Sequence, residues 1–142
     1  VEHLAQEGYR PDGVILLQPT SPLRRPGRLD EATAQLEKSG ADSLVSVHEI
    51  HPFLWKRPEE DAEAAPLYDY MNRQRRQDLP EEERLSVENG SISITRTETL
   101  MSGRNRLGGR ITLFPMSREE SHDIDGPVDL AIVEMLMANA SV

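Results

Sequence analysis

Apolar residues fall in a few short blocks separated by charged or Gly/Pro-rich stretches, and their spacing differs from block to block. Gly13-Val14-Ile15-Leu16-Leu17 is a continuous apolar run after Pro11-Asp12, the pattern of a strand buried on both faces of a largely parallel sheet. It stops at Gln18-Pro19-Thr20-Ser21-Pro22, where two prolines end a hydrogen-bonded ladder and force a loop. From about Gly27 to Lys38, Leu29, Ala32, Ala34 and Leu36 are interspersed among charges, and Gly40 closes what reads as a helix. Ser43-Leu44-Val45-Ser46-Val47-His48 alternates like a second strand. Strand, loop, helix and strand in that order predict a βαβ crossover within an α/β fold.

Between His51 and about Glu88 the texture changes. Apolar density falls, charges crowd at Arg57-Pro58-Glu59-Glu60-Asp61, and Arg73, Arg75 and Arg76 form a basic cluster. This stretch reads as an excursion from the sheet, an arm able to pack on a partner. Strand character returns at Ser91-Ile92-Ser93-Ile94, a short helix follows near Glu98–Met101, and Arg110-Ile111-Thr112-Leu113-Phe114 is another strand. The last helix runs from Pro127 to about Asn139; proline suits its first position and Asp129 favours its dipole. Leu130, Val133, Leu136 and Met137 lie at helical spacing and predict a core-facing stripe. At the other end, Val1 to Gly8 resembles the final turns of a helix, with Gly8 at the left-handed C-terminal position. Domains seldom open that way, so further sequence before Val1 is expected; a short natural helix is the alternative.

The 142 residues suit one domain, residues 1–142, with a real hydrophobic core. Sixteen Lys and Arg against 25 Asp and Glu give a net charge of −9, which argues against general nucleic-acid binding, because neutralising phosphates needs basic surface. The absence of Cys excludes disulfides, thiolate zinc sites and thiol nucleophiles. No apolar run approaches the roughly 20 residues that span a bilayer, so a soluble, cytoplasmic protein is expected. There is no Gly-rich phosphate loop, and the four His show no zinc spacing.

Three sets of residues could carry chemistry. In an extended segment Asp123 and Asp125 leave on the same face, about 6–7 Å apart at the backbone, so both could converge on a hard cation such as Mg²⁺, which takes oxygen ligands and keeps waters for a substrate phosphate. The bland alternative is a helix cap beside a solvated charge. The loop from Gln18 to Arg24 leaves the C-terminal end of a predicted strand, where open α/β sheets hold their ligands. Gln18 offers an amide, Thr20 and Ser21 offer hydroxyls, and Arg24 could pair with an anion; a proline-stiffened turn before the helix is the alternative. Arg76 beside Asn89-Gly90 is the third set, since a guanidinium fork matches a carboxylate; alternatively the arginines only offset Glu81-Glu82-Glu83. Lys56 and His51 are surface residues by default, and Trp55 suits an interface or core better than base stacking.

Taken in order, the stretches Leu16-Leu17-Gln18-Pro19-Thr20-Ser21-Pro22-Leu23-Arg24, His51-Pro52, Arg76-Gln77-Asp78-Leu79-Pro80, Glu88-Asn89-Gly90-Ser91-Ile92 and Ser121-His122-Asp123-Ile124-Asp125, with Asp129-Leu130, resemble the acylneuraminate cytidylyltransferases, which make CMP-sialic acid and its bacterial relatives. The resemblance implies a three-layer α/β/α, Rossmann-like fold of the nucleotide-diphospho-sugar transferase type, with a mixed sheet. It implies transfer of CMP from CTP to a nine-carbon acidic sugar with release of pyrophosphate, and a homodimer or higher homo-oligomer in which an arm, here about residues 51–88, helps build the neighbour's site. Asp123 and Asp125 would hold Mg²⁺, and Gln18, Arg76, Asn89 and Lys56 would contact the sugar. Lys56 lies further from Pro52 than in some relatives. The Gly-rich, basic CTP-binding segment of the family is not matched, Ser93 replaces an aromatic, and Asn105-Arg106-Leu107-Gly108-Gly109 lacks the aromatic pair of sialic acid enzymes. A different nonulosonic acid, such as a legionaminic or pseudaminic acid, is thereby implied. The alternatives are a Kdo-type sugar nucleotidyltransferase and a non-catalytic assembly or regulatory piece.

Overall fold

In the computed structural model residues 1–60 and 62–140 are described, Ala140 by its backbone only; Asp61, the last of the Arg57–Asp61 charges, lies outside them. The chain divides into two compact units, Val1–His48 with Glu88–Val142, and Glu49–Val87.

The first unit opens with a short helix, α1 (Glu2–Gln6), after which Gly8 turns at φ +88°, as its sequence predicts. Strand β1 (Gly13–Leu16) follows, then helix α2 (Arg28–Ser39), bracketed by Gly27 and Gly40 in left-handed backbone. Next come β2 (Ser43–Ile50) and, further along the chain, the long strand β5 (Leu85–Arg96), α3 (Thr97–Gly103), β6 (Ile111–Pro115) and α4 (Pro127–Ala140). The second unit contributes β3 (Trp55–Lys56) and β4 (Ala65–Pro66), paired antiparallel, and 3-10 turns at Arg76–Asp78 and Glu81–Glu83.

The main sheet has the order β1-β5-β2-β6. Strand β1 runs antiparallel to β5, Gly13 opposite Arg96 and Leu16 opposite Ser93. Strand β2 runs parallel to β6, Ser43 opposite Ile111 and Val47 opposite Pro115. This mixed sheet with its helices is a Rossmann-like α/β arrangement. Helix α2 packs on β6, and Gln35 donates its side-chain amide to the Leu113 carbonyl at 2.6 Å. Ala32 and Leu36 of α2 meet Leu44, Ile92, Ile94, Phe114 and Met116 in one buried cluster, with Leu29 packed against it.

Period-2 alternation along β5 explains its two faces. Ile92 and Ile94 join the apolar cluster, while Ser93 and Thr95 donate their hydroxyls to the Arg106 carbonyl in the loop after α3. Both faces are buried, one by hydrocarbon and one by hydrogen-bonded backbone.

Three expectations are corrected. The β1 run predicts burial on both faces of a largely parallel sheet; instead β1 pairs antiparallel, lies at the end of the strand order, and leaves Ile15 and Leu16 43% and 44% exposed. An apolar run reports that both faces are suited to burial, not which strand or layer lies against them. The crossover from β1 to β2 also passes over β5, which lies between them. In α4 only Val133 of the expected stripe is fully buried, whereas Leu130 and Met137 are about half exposed. The segment Val128-Asp129-Leu130-Ala131-Ile132-Val133 is apolar nearly all round, so no single stripe can face inward. Finally, β5 begins at Leu85, inside the stretch read as an excursion.

Candidate functional site

Two loops of the first unit meet. One is the proline-stiffened segment from Gln18 to Arg24 that joins β1 to α2. The other is the acidic segment after β6, where a 3-10 turn at Glu119–Ser121 leads into Asp123 and Asp125. Ser21 is fully buried, and its hydroxyl donates to Asp123 Oδ1 at 3.0 Å, with the Asn89 carbonyl a second acceptor at 3.3 Å. The backbone supports this pairing, since the Ile124 N–H donates to the Thr20 carbonyl at 2.9 Å. Residues 102 positions apart are thus joined at the carboxylate itself.

Asn89, on β5, is the junction behind that contact. Its Oδ1 accepts from the Ser46 hydroxyl at 2.5 Å and from the Ser91 N–H at 3.2 Å, and its Nδ2 donates to Ser121 Oγ at 2.8 Å. The side chain is buried, so these partners satisfy an amide whose desolvation would otherwise be costly. Gly90 next to it adopts φ +68°, and a Cβ there would collide with Gln18 Oε1. Glycine at this position therefore both permits the backbone turn and lets the Gln18 amide lie over the strand. Arg24 folds back as a brace: its Nη1 donates to the Ser21 carbonyl at 2.6 Å and the Ser91 carbonyl at 3.1 Å.

The structure therefore brings Gln18, Ser21, Arg24, Asn89 and Asp123 together, with Thr20 joining through its backbone. Asp125 is exposed, and its N–H donates to Asp129 Oδ2 at 3.2 Å at the start of α4. Lys56 and Arg76 belong to the second unit. Lys56 is exposed on β3. Arg76 pairs with Glu49 through Nη2 to Oε1 at 3.0 Å, and Arg84 approaches the same carboxylate at 3.6 Å. The acidic partner of Arg76 is thus Glu49 rather than the Glu81-Glu82-Glu83 run. A cleft of about 290 Å³ in this unit is lined by His51, Pro52, Phe53, Tyr68, Gln74 and Leu79, among others. Trp55 is half exposed and stacks edge-on against Tyr68.

Several residues of the site carry no signal in the one-dimensional pattern. Ser46 and Ser91 look like ordinary strand positions. Glu120 looks like solvated charge, yet it is 3% exposed and bound by Arg28 and Arg25. Hydrogen bonds from Arg28 outweigh burial and hold its carboxyl far below the usual carboxylate range; the same pair raises the Arg28 guanidinium. The Ser-x-x-Glu spacing of Ser117 to Glu120 is the available clue, because it is a capping-box pattern. His48, in β2, has a buried Nδ1 with no hydrogen-bond partner among the described residues, and burial, then Arg118 and His122, push its imidazole below the ordinary value of 6.5.

Among the described residues no group of three or more His, Cys, Asp or Glu could hold a metal. A cation at Asp123 and Asp125 would draw at most two carboxylates from this chain and take its other oxygens from water and substrate phosphates, the mode Mg²⁺ prefers. Among the described residues, no helix is long and apolar enough to cross a membrane.

No family model matches the chain. It is similar to N-acylneuraminate cytidylyltransferase A of Danio rerio, 32% identical over 137 residues that make up 94% of this chain and 31% of that protein. It is 34% identical over 137 residues to the N-acylneuraminate cytidylyltransferase of Oncorhynchus mykiss, with 94% and 31% covered. Against the enzyme of the same name from Streptococcus agalactiae serotype V the identity is 32% over 113 residues, 78% of this chain and 27% of that protein. The chain spans less than a third of the length of these curated relatives. Over the stretch it spans, the chain is similar to proteins named N-acylneuraminate cytidylyltransferase.

Proposed function

We propose that the protein containing this chain transfers CMP from CTP to a sialic acid or related nonulosonic acid. In this reaction the sugar's anomeric oxygen bonds to the α-phosphorus, the bond from that phosphorus to the bridging oxygen breaks, pyrophosphate leaves, and the hydroxyl proton passes to solvent. The observation that carries the reading is the Ser21 to Asp123 contact, which sets a carboxylate against the loop that also presents Gln18. Asp123 and Asp125 would hold Mg²⁺, which when bound neutralises charge developing on the phosphates. Ser21 fixes one Asp123 oxygen and leaves the rest of the carboxylate for an ion. In the first unit Gln18 would contact the acidic sugar, with Asn89 holding the strand beneath it through its buried amide; Arg76 and Lys56 are the second unit's candidate cations for a sugar carboxylate. Catalysis on this reading is positioning and electrostatics.

The relatives' names favour sialic acid, while two features of this chain favour another nonulosonic acid. Ser93 is committed to the Arg106 carbonyl, and the loop at 105–109 contains no aromatic side chain to stack on an acyl group. The exposed aromatics of the second unit suit a homodimer or higher homo-oligomer in which this region serves as the arm. The test is pyrophosphate release by the complete protein from CTP with Mg²⁺ and, separately, N-acetylneuraminic, legionaminic or pseudaminic acid or Kdo. Turnover with one of the first three supports the reading. Turnover with Kdo alone moves it to the Kdo-type enzymes, and none with any sugar overturns it.

A further inference from the structure

The acidic loop is fastened to the rest of the first unit at a point the proposed chemistry does not use. Glu120 lies three residues before Asp123 and is almost wholly buried. Arg28, in the first turn of α2, donates to both its oxygens, Nε to Oε1 at 2.8 Å and Nη2 to Oε2 at 2.6 Å. Arg25 adds Nη2 to Oε2 at 3.1 Å and its backbone N–H to Oε1 at 3.4 Å. Ser117 and Glu120 also cap each other: the Ser117 N–H donates to Oε2 at 3.3 Å and the Glu120 N–H to Ser117 Oγ at 3.3 Å. One carboxylate thus ends the turn before Asp123 and ties it to residues 25 and 28, just beyond the loop whose Ser21 bonds Asp123.

We infer that Glu120 is a positioning residue for the Asp123 carboxylate: by locking the 117–121 turn onto Arg25 and Arg28, it sets the height at which Asp123 meets Ser21 and presents its remaining oxygens to a divalent cation. The reasoning is mechanical. Between Glu120 and Asp123 only two residues intervene, and Ser121 is itself held, donating to the Ser117 carbonyl at 2.7 Å and accepting from Asn89. With both ends of the turn fixed, the carboxylate has little freedom. A freed Glu120 would leave the Ser21 hydroxyl as its main side-chain restraint. Groups that orient metal ligands commonly alter affinity about 10–100-fold when removed. Arg28 is suited to this because its planar fork engages both oxygens, which an ammonium cannot copy.

This inference rests on the reading of Asp123 as a cation ligand, and the test separates the two. In the complete protein with CTP present, Mn²⁺ binding is followed by electron paramagnetic resonance, and Mg²⁺ half-saturation by pyrophosphate release with the accepted sugar. Glu120→Gln is expected to weaken both by about 10-fold. Ile94→Val, a core variant, lowers the melting temperature without moving either. Arg28→Lys keeps the charge, removes the fork, and is expected to weaken both about 3-fold, the lower side of the same effect; it decides the matter if Glu120→Gln fails to fold. Cation affinity within 2-fold of wild type in a folded variant, or an equal shift in Ile94→Val, overturns the inference. A wild-type protein that binds no Mn²⁺ and turns over without Mg²⁺ overturns instead the reading of Asp123.

Discussion

The two units of this chain solve the problem of burying polar sequence in opposite ways. In the first, Ser21, Ser43, Ser46, Asn89, Ser91 and Glu120 are all buried, and each is matched to a specific partner around one apolar cluster. In the second, none of the described residues is buried. Its aromatic rings stack on one another at the surface, Phe53 on Tyr68 at 5.0 Å and Arg73 over Phe53 at 4.0 Å, and its ion pairs Arg75–Asp78 and Arg76–Glu49 are exposed. A buried polar network is rigid because every unmatched group is costly; exposed stacks and ion pairs hold their geometry weakly. The first unit is built to fix carboxylate positions. The second leaves its rings and ion pairs at the surface.

This contrast can be broken most forcefully in the core. Leu44→Ala removes a side chain with no exposure and should cost about 3 kcal/mol of stability, read by urea denaturation. A loss below about 1 kcal/mol would mean the first unit lacks the tight core assigned to it. Acid sharpens the comparison next. The Glu120 carboxyl is held below its ordinary value of 4.5 by Arg28, so the folded state gives up its proton more readily than the unfolded state does. The stability it contributes is fully present above pH 4.5 and drains away as pH falls toward its lower folded value. Thermal scans between neutral and strongly acidic pH should show a steeper decline for the wild type than for Glu120→Gln. Parallel curves would remove the ion pair from the account. Smallest is Phe53→Ala, expected to cost the fold about 1 kcal/mol or less while weakening self-association in sedimentation equilibrium. A loss as large as that of Leu44→Ala would show that the second unit has a core after all.

Much of the frame is legible in the one-dimensional pattern because it depends on local chemistry. Gly27 and Gly40 bound α2, Pro127 starts α4, and the paired prolines after Leu17 end β1, each through backbone constraints that act within a few residues. What escapes is set by distance along the chain. The apolar run of β1 is the same whether its neighbour is parallel or antiparallel, so its pairing with β5 and its exposure are invisible. The alternation in Leu85-Ser86-Val87-Glu88 is diluted by surrounding charge, which hides the first turn of strand β5. Charge by itself cannot tell a solvated carboxylate from a buried one, so Glu120 is masked until Arg28, 92 residues away, is beside it. At the site, the Gln18–Arg24 loop and Asp123 are both apparent as separate motifs, but their union through Ser21 is tertiary. Of the serines that complete it, Ser46 has no local mark, and Ser121 is marked only by opening the stretch Ser121-His122-Asp123-Ile124-Asp125.

The most direct test of the central claim, that Asp123 carries the cation on which nucleotidyl transfer depends, is Mg²⁺-dependent pyrophosphate release by the complete protein with CTP and its acid sugar, measured for wild type and Asp123→Ala side by side. Loss of a cation-holding carboxylate should lower turnover at least about 100-fold with the circular dichroism spectrum unchanged. A folded Asp123→Ala protein that keeps turnover within about 3-fold of wild type, with the same Mg²⁺ dependence, would contradict it.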